Sequence, residues 1–158
     1  MIEICKADKE NIAQVIKLRF EMLMVVNNIK SDVFNVDFKD ATNEYFCNGN
    51  QTTFLAMDGG VAIGCATVCY IMVMPTYGHP TGKRAHVMNV YVREGYRKKG
   101  IAQMMMKEIV NDAIEKGITH INLDATEQGR PLYEKIGFKP TEEGMEMILN
   151  KFETYHGK

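Results

Sequence analysis

Tryptophan is missing from this chain, proline occurs only four times, and no apolar run reaches the length of a membrane-crossing helix. Without repeats, low-complexity tracts or Gly/Ser-rich linkers, the 158 residues are expected to form one domain, 1–158. The longest mostly apolar stretch, Val61 to Met74, is too short to span a bilayer as a helix. "MIEICKADKENIAQ" carries charges where a signal peptide needs its apolar stretch, so a cytoplasmic protein with no membrane partner is expected. An excess of either charge is also lacking, with 19 basic against 20 acidic residues, which argues against nucleic acid as a partner. Cys5, Cys47, Cys65 and Cys69 lack the paired CxxC spacing of a zinc site and read as small buried hydrophobes. His79, His120 and His156 share no ligand spacing with one another or with the cysteines, so no metal is expected.

What is present is an apolar period that switches repeatedly. "IEICKA" alternates as a strand, after which Asp8 is positioned to cap a helix carrying Ile12, Val15, Ile16 and Phe20 at helical spacing. A second helix is expected over about Phe38 to Cys47. "QTTFLAM" and "VAIGCATVCYIMV" flank "DGG", where Asp58-Gly59 suits a tight hairpin turn. "MPTYGHPTGK" is an exposed loop and "RAHVMNVYV" another strand. A helix then runs from Gly100 to Lys116 and stops at Gly117; Met104 to Met106 read as its adaptable packing. "THINLDAT" reads as a buried strand, "RPLYEKI" as a short helix with proline in its first turn, and "FKPTEEGMEMILNK" as a closing hairpin. The order describes an α/β (α+β) chain with an antiparallel start and a strand–helix–strand crossover.

The crossover carries the chemistry. Within "VYVREGYRKKGIAQMMMKEIV" the seven residues from Arg93 to Lys99 gather Arg93, Arg97, Lys98 and Lys99 against Glu94, where a strand turns into a helix. The first amides of such a helix are unpaired and point along its axis, so with the macrodipole they form an anion site. Gly100, lacking a Cβ, lets a phosphate approach the main chain. Gly95 and Gly100 fit the GxxxxG part of a nucleotide P-loop, but Ile101-Ala102 stands where its Lys and Ser/Thr belong. No GxGxxG follows a strand either. Two readings stay open for the loop alone: a pyrophosphate cradle without a magnesium-nucleotide site, or a solvated basic surface whose glycine only turns the chain.

"NVYVREGYRKKGIAQMMM" resembles the cofactor motif of the GNAT superfamily of acyl-CoA-dependent N-acetyltransferases: Arg or Gln, two residues, Gly, one residue, then Gly or Ala. Arg97, Gly100 and Ala102 fill those places. "LDATEQGRPLYEKIGF" resembles the later strand and helix of the same superfamily. The resemblance implies a mixed central sheet of about seven strands, flanked by helices and splayed open between the strand ending at Val92 and "THINLDAT". Acetyl-CoA would lie in the gap, its pantetheine arm pairing with Val90, Tyr91 and Val92. The pyrophosphate would meet the amides from Arg97 to Ala102, including Ile101, with Arg97, Lys98 and Lys99 adding charge attraction.

The implied activity is transfer of an acetyl group to a primary amine of a small molecule or peptide. Such a reaction needs a neutral nitrogen, a stabilised oxyanion and a proton for the departing thiolate. By resemblance, the amide of Val90 or Tyr91 is the oxyanion donor and Tyr133 the general acid. His86, on the strand entering the site, is a candidate base where some members carry glutamate; Glu21, Asn89 acting through water, or no side-chain base stand beside it. Asp32, Asp37, Asp40 and Glu44 against Lys39 read either as a solvated surface or, since the resemblance places the region after the first helix beside the acceptor, as a sign that the acceptor is a cationic amine. A homodimer is left open, and so is a non-catalytic acyl-CoA-binding regulatory module.

Overall fold

A computed structural model describes residues 1–149. Its elements are β1 (Ile2–Lys6), α1 (Ile12–Val26), α2 (Val36–Asn48), β2 (Gln51–Asp58), β3 (Val61–Met72), β4 (Lys83–Val92), α3 (Ile101–Glu115), β5 (His120–Leu123) and α4 (Arg130–Ile136), with one 3-10 turn at Glu94–Tyr96. The strands form a single sheet in chain order, antiparallel except for the pair β4–β5, which α3 joins as a crossover.

Two sets of side chains, alternating along the strands, give the sheet two cores. On one face Ala56, Ala66, Val68, Tyr70, Ala85 and Val87 meet Met105, Met106, Ile109 and Ala113 of α3. Met105 and Met106 are fully buried, as the helical reading of the methionine run requires, while Met104 is turned outward. On the other face Leu55, Cys65 and Tyr91 meet Val15 and Leu18 of α1 and Phe46 of α2.

Several expectations shift in detail. Asp8 does not cap α1: its carboxylate accepts from the amides of Glu10 and Asn11, and Asn11 is the residue that begins the helix. The β2–β3 turn is built on Gly59 and Gly60, at φ +56° and +81°, with Asp58 paired to Val61; the turn is one residue later than Asp58-Gly59, where two glycines take positive φ without a Cβ penalty. β5 is only four residues long and half-exposed, since β4 pairs with it on one side alone. The described residues hold five strands where about seven are expected. The closing hairpin read over Phe138 to Lys151 shows no strand from Phe138 to Leu149, and its last two residues lie outside the described residues. The cysteines divide: Cys65 is buried, Cys5 and Cys69 are partly covered, and Cys47 is exposed, on the outer side of α2; all four are free.

One irregularity positions the site. Between the pairs Thr67–Met88 and Cys65–Tyr91, β4 carries one residue more than β3. Asn89 sits in that bulge at φ +58°, a left-handed conformation asparagine tolerates better than most side chains. Pairing with β5 ends just before it, at Val87–Leu123, so the bulge and the parting of the two strands occur at the same level.

Candidate active site

Beyond Val87 the β5-facing side of β4 has no register partner, and Val90, Tyr91 and Val92 lie on this free stretch. The parallel strands therefore open towards the C-terminal end of β4, as the sequence reading requires. Val92 packs into the α3 core, whereas Tyr91 is buried on the α1 side. Arg97 Nε donates to the Val92 carbonyl at 2.8 Å, with the guanidinium 5.9 Å from the Tyr91 ring centroid, and so ties the basic loop to the end of the strand.

The loop then delivers its amides. Lys98 takes φ +60° and Gly100 φ +76°, and the first helical hydrogen bond runs from Met104 to the Gly100 carbonyl at 3.0 Å. Among the described residues no acceptor is found for the amides from Lys98 to Gln103, a run that spans Lys99, Gly100, Ile101 and Ala102. A Cβ at Gly100 would meet nothing within 4 Å, so the glycine serves its backbone angle and open access, not close packing. Lys99 Nζ lies 5.3 Å from the Tyr96 ring centroid. An anion offered to this corner finds main-chain donors, two lysines and the positive end of a fifteen-residue helix.

Arg93 belongs elsewhere. Its guanidinium makes a two-pronged bond to Glu21 of α1, at 2.9 Å from Nε to Oε1 and 2.9 Å from NH2 to Oε2, and the same carboxylate accepts from the Tyr91 hydroxyl at 2.9 Å. The bonds from Arg93 first, and the one from Tyr91 after burial is set against them, hold the Glu21 carboxyl below its ordinary range. A carboxylate so spent makes a poor proton acceptor. Burial and the bond to Glu21 push the Tyr91 phenol up to about 12.

His86 lies on the α1 face, beside Cys69 on β3 and Asn122 on β5. Its Nδ1 is 2.8 Å from Asn122 Oδ1, and in the tautomer with the proton on Nδ1 the other nitrogen, Nε2, is the acceptor, 4.0 Å from Asp124. Burial pushes the Cys65 thiol up to about 12, which removes it as a thiolate nucleophile.

Tyr133 projects from α4, its ring 6.0 Å from that of Phe138 in an edge-on contact, and burial raises its phenol above the ordinary value. Gly129 begins α4 and Pro131 sits in its first turn. Tyr133 also lines a cavity of about 650 Å³ with Asn122, Asp124 and Phe138, to which no residue of β4 contributes. That cavity follows β5 and α4, and its Asn122 is the register partner of His86 on β4.

The acidic run of α2 does not face the opening. Asp37, Asp40 and Glu44 recur along the helix side opposite the buried Thr42 and Phe46, and all three are exposed. Asp32 is paired with Lys39 at 2.6 Å. The ground for expecting a cationic acceptor is thus lost, since this charge points into solvent. His79 and His120, unrelated in sequence spacing, are brought to ring centroids 5.0 Å apart, and His79 Nδ1 lies 3.0 Å from Thr119 Oγ1. His156 lies outside the described residues.

A bulged strand parts from its parallel neighbour opposite an amide-lined helix start, the arrangement that the resemblance to the acyl-CoA-dependent acetyltransferases implies. The family model described as Acetyltransferase (GNAT) family matches residues 21–138, and the chain belongs to that family. It is 30% identical to a predicted acetyltransferase from Clostridium acetobutylicum solved with acetyl-CoA, over 99% of this chain and 100% of that one, with a TM-score of 0.83. A GCN5-related N-acetyltransferase from Ralstonia eutropha JMP134 is 26% identical over 94% of this chain and 99% of the other, with a TM-score of 0.78. The glucosamine 6-phosphate N-acetyltransferase of Trypanosoma brucei brucei is 28% identical over 90 residues, 57% of this chain. The match spans 59% of the length of that curated relative. Among the described residues no helix is long and apolar enough to cross a membrane.

Proposed function

We propose that the protein moves an acetyl group from acetyl-CoA to a primary amine of a small molecule or peptide, by direct transfer while both substrates are bound. The observation that carries this reading is the coincidence of the stretch Met88–Val92, which has no partner on its β5-facing side, with the acceptorless amides Lys98–Gln103. A strand-like pantetheine arm would add to the first and a pyrophosphate would rest on the second. The amine nitrogen attacks the thioester carbonyl carbon, forming a C–N bond as the π electrons move onto oxygen, where the Val90 or Tyr91 amide stabilises the oxyanion. Collapse breaks the C–S bond. The thiolate takes a proton from Tyr133, and the amine's proton leaves to His86 Nε2 or to water.

Gly100→Val tests the cradle. A β-branched side chain at φ +76° is strained by about 1–2 kcal/mol and stands over the free amides. The free loop relaxes away from the left-handed angle and must be strained back to bind, so calorimetric titration should show the affinity for coenzyme A falling roughly 5- to 30-fold. Wild-type protein that is folded yet takes up no coenzyme A overturns the proposal. His86→Ala should lower kcat by roughly 10- to 100-fold if Nε2 accepts the proton, with affinity for coenzyme A unchanged. Amine-dependent thiol release distinguishes the enzyme from a non-catalytic acyl-CoA binder, which releases none.

A further inference from the structure

On the α1 face of the sheet, hydrogen bonds run in one direction across three strands. Thr53 Oγ1 donates to Gln51 Oε1 at 2.8 Å, which leaves Thr67 Oγ1 to donate to Thr53 Oγ1, also at 2.8 Å. Thr67 Oγ1 in turn accepts from Asn89 Nδ2 at 3.3 Å. The chain of donors fixes which way the Asn89 amide faces: nitrogen towards Thr67, oxygen away from it. That oxygen is buried, on a residue 8% exposed, and has no hydrogen-bond partner among the described residues. A buried amide oxygen without a donor is costly, and an exception of this kind calls for an explanation such as a ligand N–H.

Arg19 lies over the same stretch. On α1 it follows Leu18 and stands one turn after Val15, both fully buried against the sheet, so it occupies the sheet-facing side of the helix with Met22. It is half-buried, and its charge acts on Cys65 and Cys69, the residues two before and two after Thr67 on the same face of β3. Among the described residues its guanidinium makes no ion pair. Glu21, the one acid of α1, is spent on Arg93 and Tyr91. A half-buried cation and a buried acceptor, both unpartnered, thus flank Thr67 beside the opening of the sheet.

We propose that the acceptor is a small amine that also carries an anionic group, carboxylate or phosphate, with its nitrogen donating to Asn89 Oδ1 and its anion paired with Arg19. This rests on the N-acetyltransferase reading and narrows its substrate class. Asn89 Oδ1 orients the nitrogen lone pair by accepting one N–H, and Arg19 offers the planar donor fork that matches either oxyanion.

The test is a steady-state panel with acetyl-CoA: an α-amino acid, its carboxamide, an aminoalkyl phosphate, the matching amino alcohol, and a diamine. Wild type should prefer one or both anionic amines over their neutral partners by at least ~10-fold in kcat/KM; which one responds separates carboxylate from phosphate. Arg19→Gln should raise KM for that amine by roughly 10- to 100-fold while leaving the neutral partner within about twofold. Binding of coenzyme A to Arg19→Gln by calorimetry reports folding, and Arg19→Lys, which keeps the charge, should recover part of the loss. Preference for the diamine or the neutral amines, or an equal loss on charged and neutral partners, overturns the inference while the acetyltransferase reading stands. Failure of wild type to bind coenzyme A would strike that reading instead and take the inference with it.

Discussion

Replacing Asp112 by alanine is expected to lower stability by about 3 kcal/mol, read as a fall in the denaturant midpoint at unchanged slope. Asp112 is a carboxylate on α3 that is 7% exposed, yet it is bonded from three directions: Lys6 of β1 at 3.0 Å, Lys116 at the end of its own helix at 2.7 Å, and the Tyr70 hydroxyl of β3 at 2.5 Å. Burial alone would push its carboxyl up; the bonds from Lys116, Tyr70 and Lys6 outweigh that and hold it well below the ordinary carboxylate range. The size of the loss follows from what is left behind. Both lysine side chains are about half exposed and can turn to water, so neither charge is stranded. The Tyr70 hydroxyl, on a residue 8% exposed, cannot do the same and is left without its acceptor. Asp112→Asn, which keeps an acceptor for Tyr70, should cost about half as much. Because the folded carboxyl is depressed, its contribution is complete above the unfolded value near ~4 and disappears as pH falls through the folded value. The gap between wild type and Asp112→Ala should therefore narrow on acidification and stay constant above about pH 5.

The parts of the fold that could be read in advance are those written in local pattern. The 3.6-residue period of Ile101–Glu115, the glycine stop at Gly117 (φ +71°) and the proline-led start of Arg130–Ile136 specify α3 and α4 to within a residue. The loop of free amides before α3 is legible for the same reason, because cations, glycine and helix start are neighbours in the chain. What escaped depends on partners far apart in sequence. Arg93 looked like one of the cradle cations, and only the tertiary fold brings it to Glu21, 72 residues earlier. The Asn89 bulge breaks the alternation of β4 by one residue, which a strand pattern absorbs without trace. Arg19 looks like any surface position of an amphipathic helix until its neighbours Val15, Leu18 and Met22 are seen to face the sheet. The acidic run of α2 misled in the opposite sense: its composition was clear, its direction was not, and direction decides whether charge acts on a ligand.

Tyr133→Phe should lower kcat by roughly 100- to 1,000-fold with little change in the affinity for coenzyme A or in stability. The ring earns its place by packing on Phe138 and the α3 core, and phenylalanine keeps that contact. The hydroxyl has no hydrogen-bond partner among the described residues, so no structural bond is lost with it. A purely structural tyrosine therefore predicts a silent variant, and an acid predicts a slow one. Burial raises the phenol above its ordinary value, so it stays protonated throughout the neutral range and can give its proton to the thiolate as the C–S bond breaks. The decisive measurement varies the leaving group. An acetyl thioester of a more acidic thiol needs less protonation on departure, so the deficit of Tyr133→Phe should shrink with such a donor. A deficit of the same size for both donors would place Tyr133 outside the proton path.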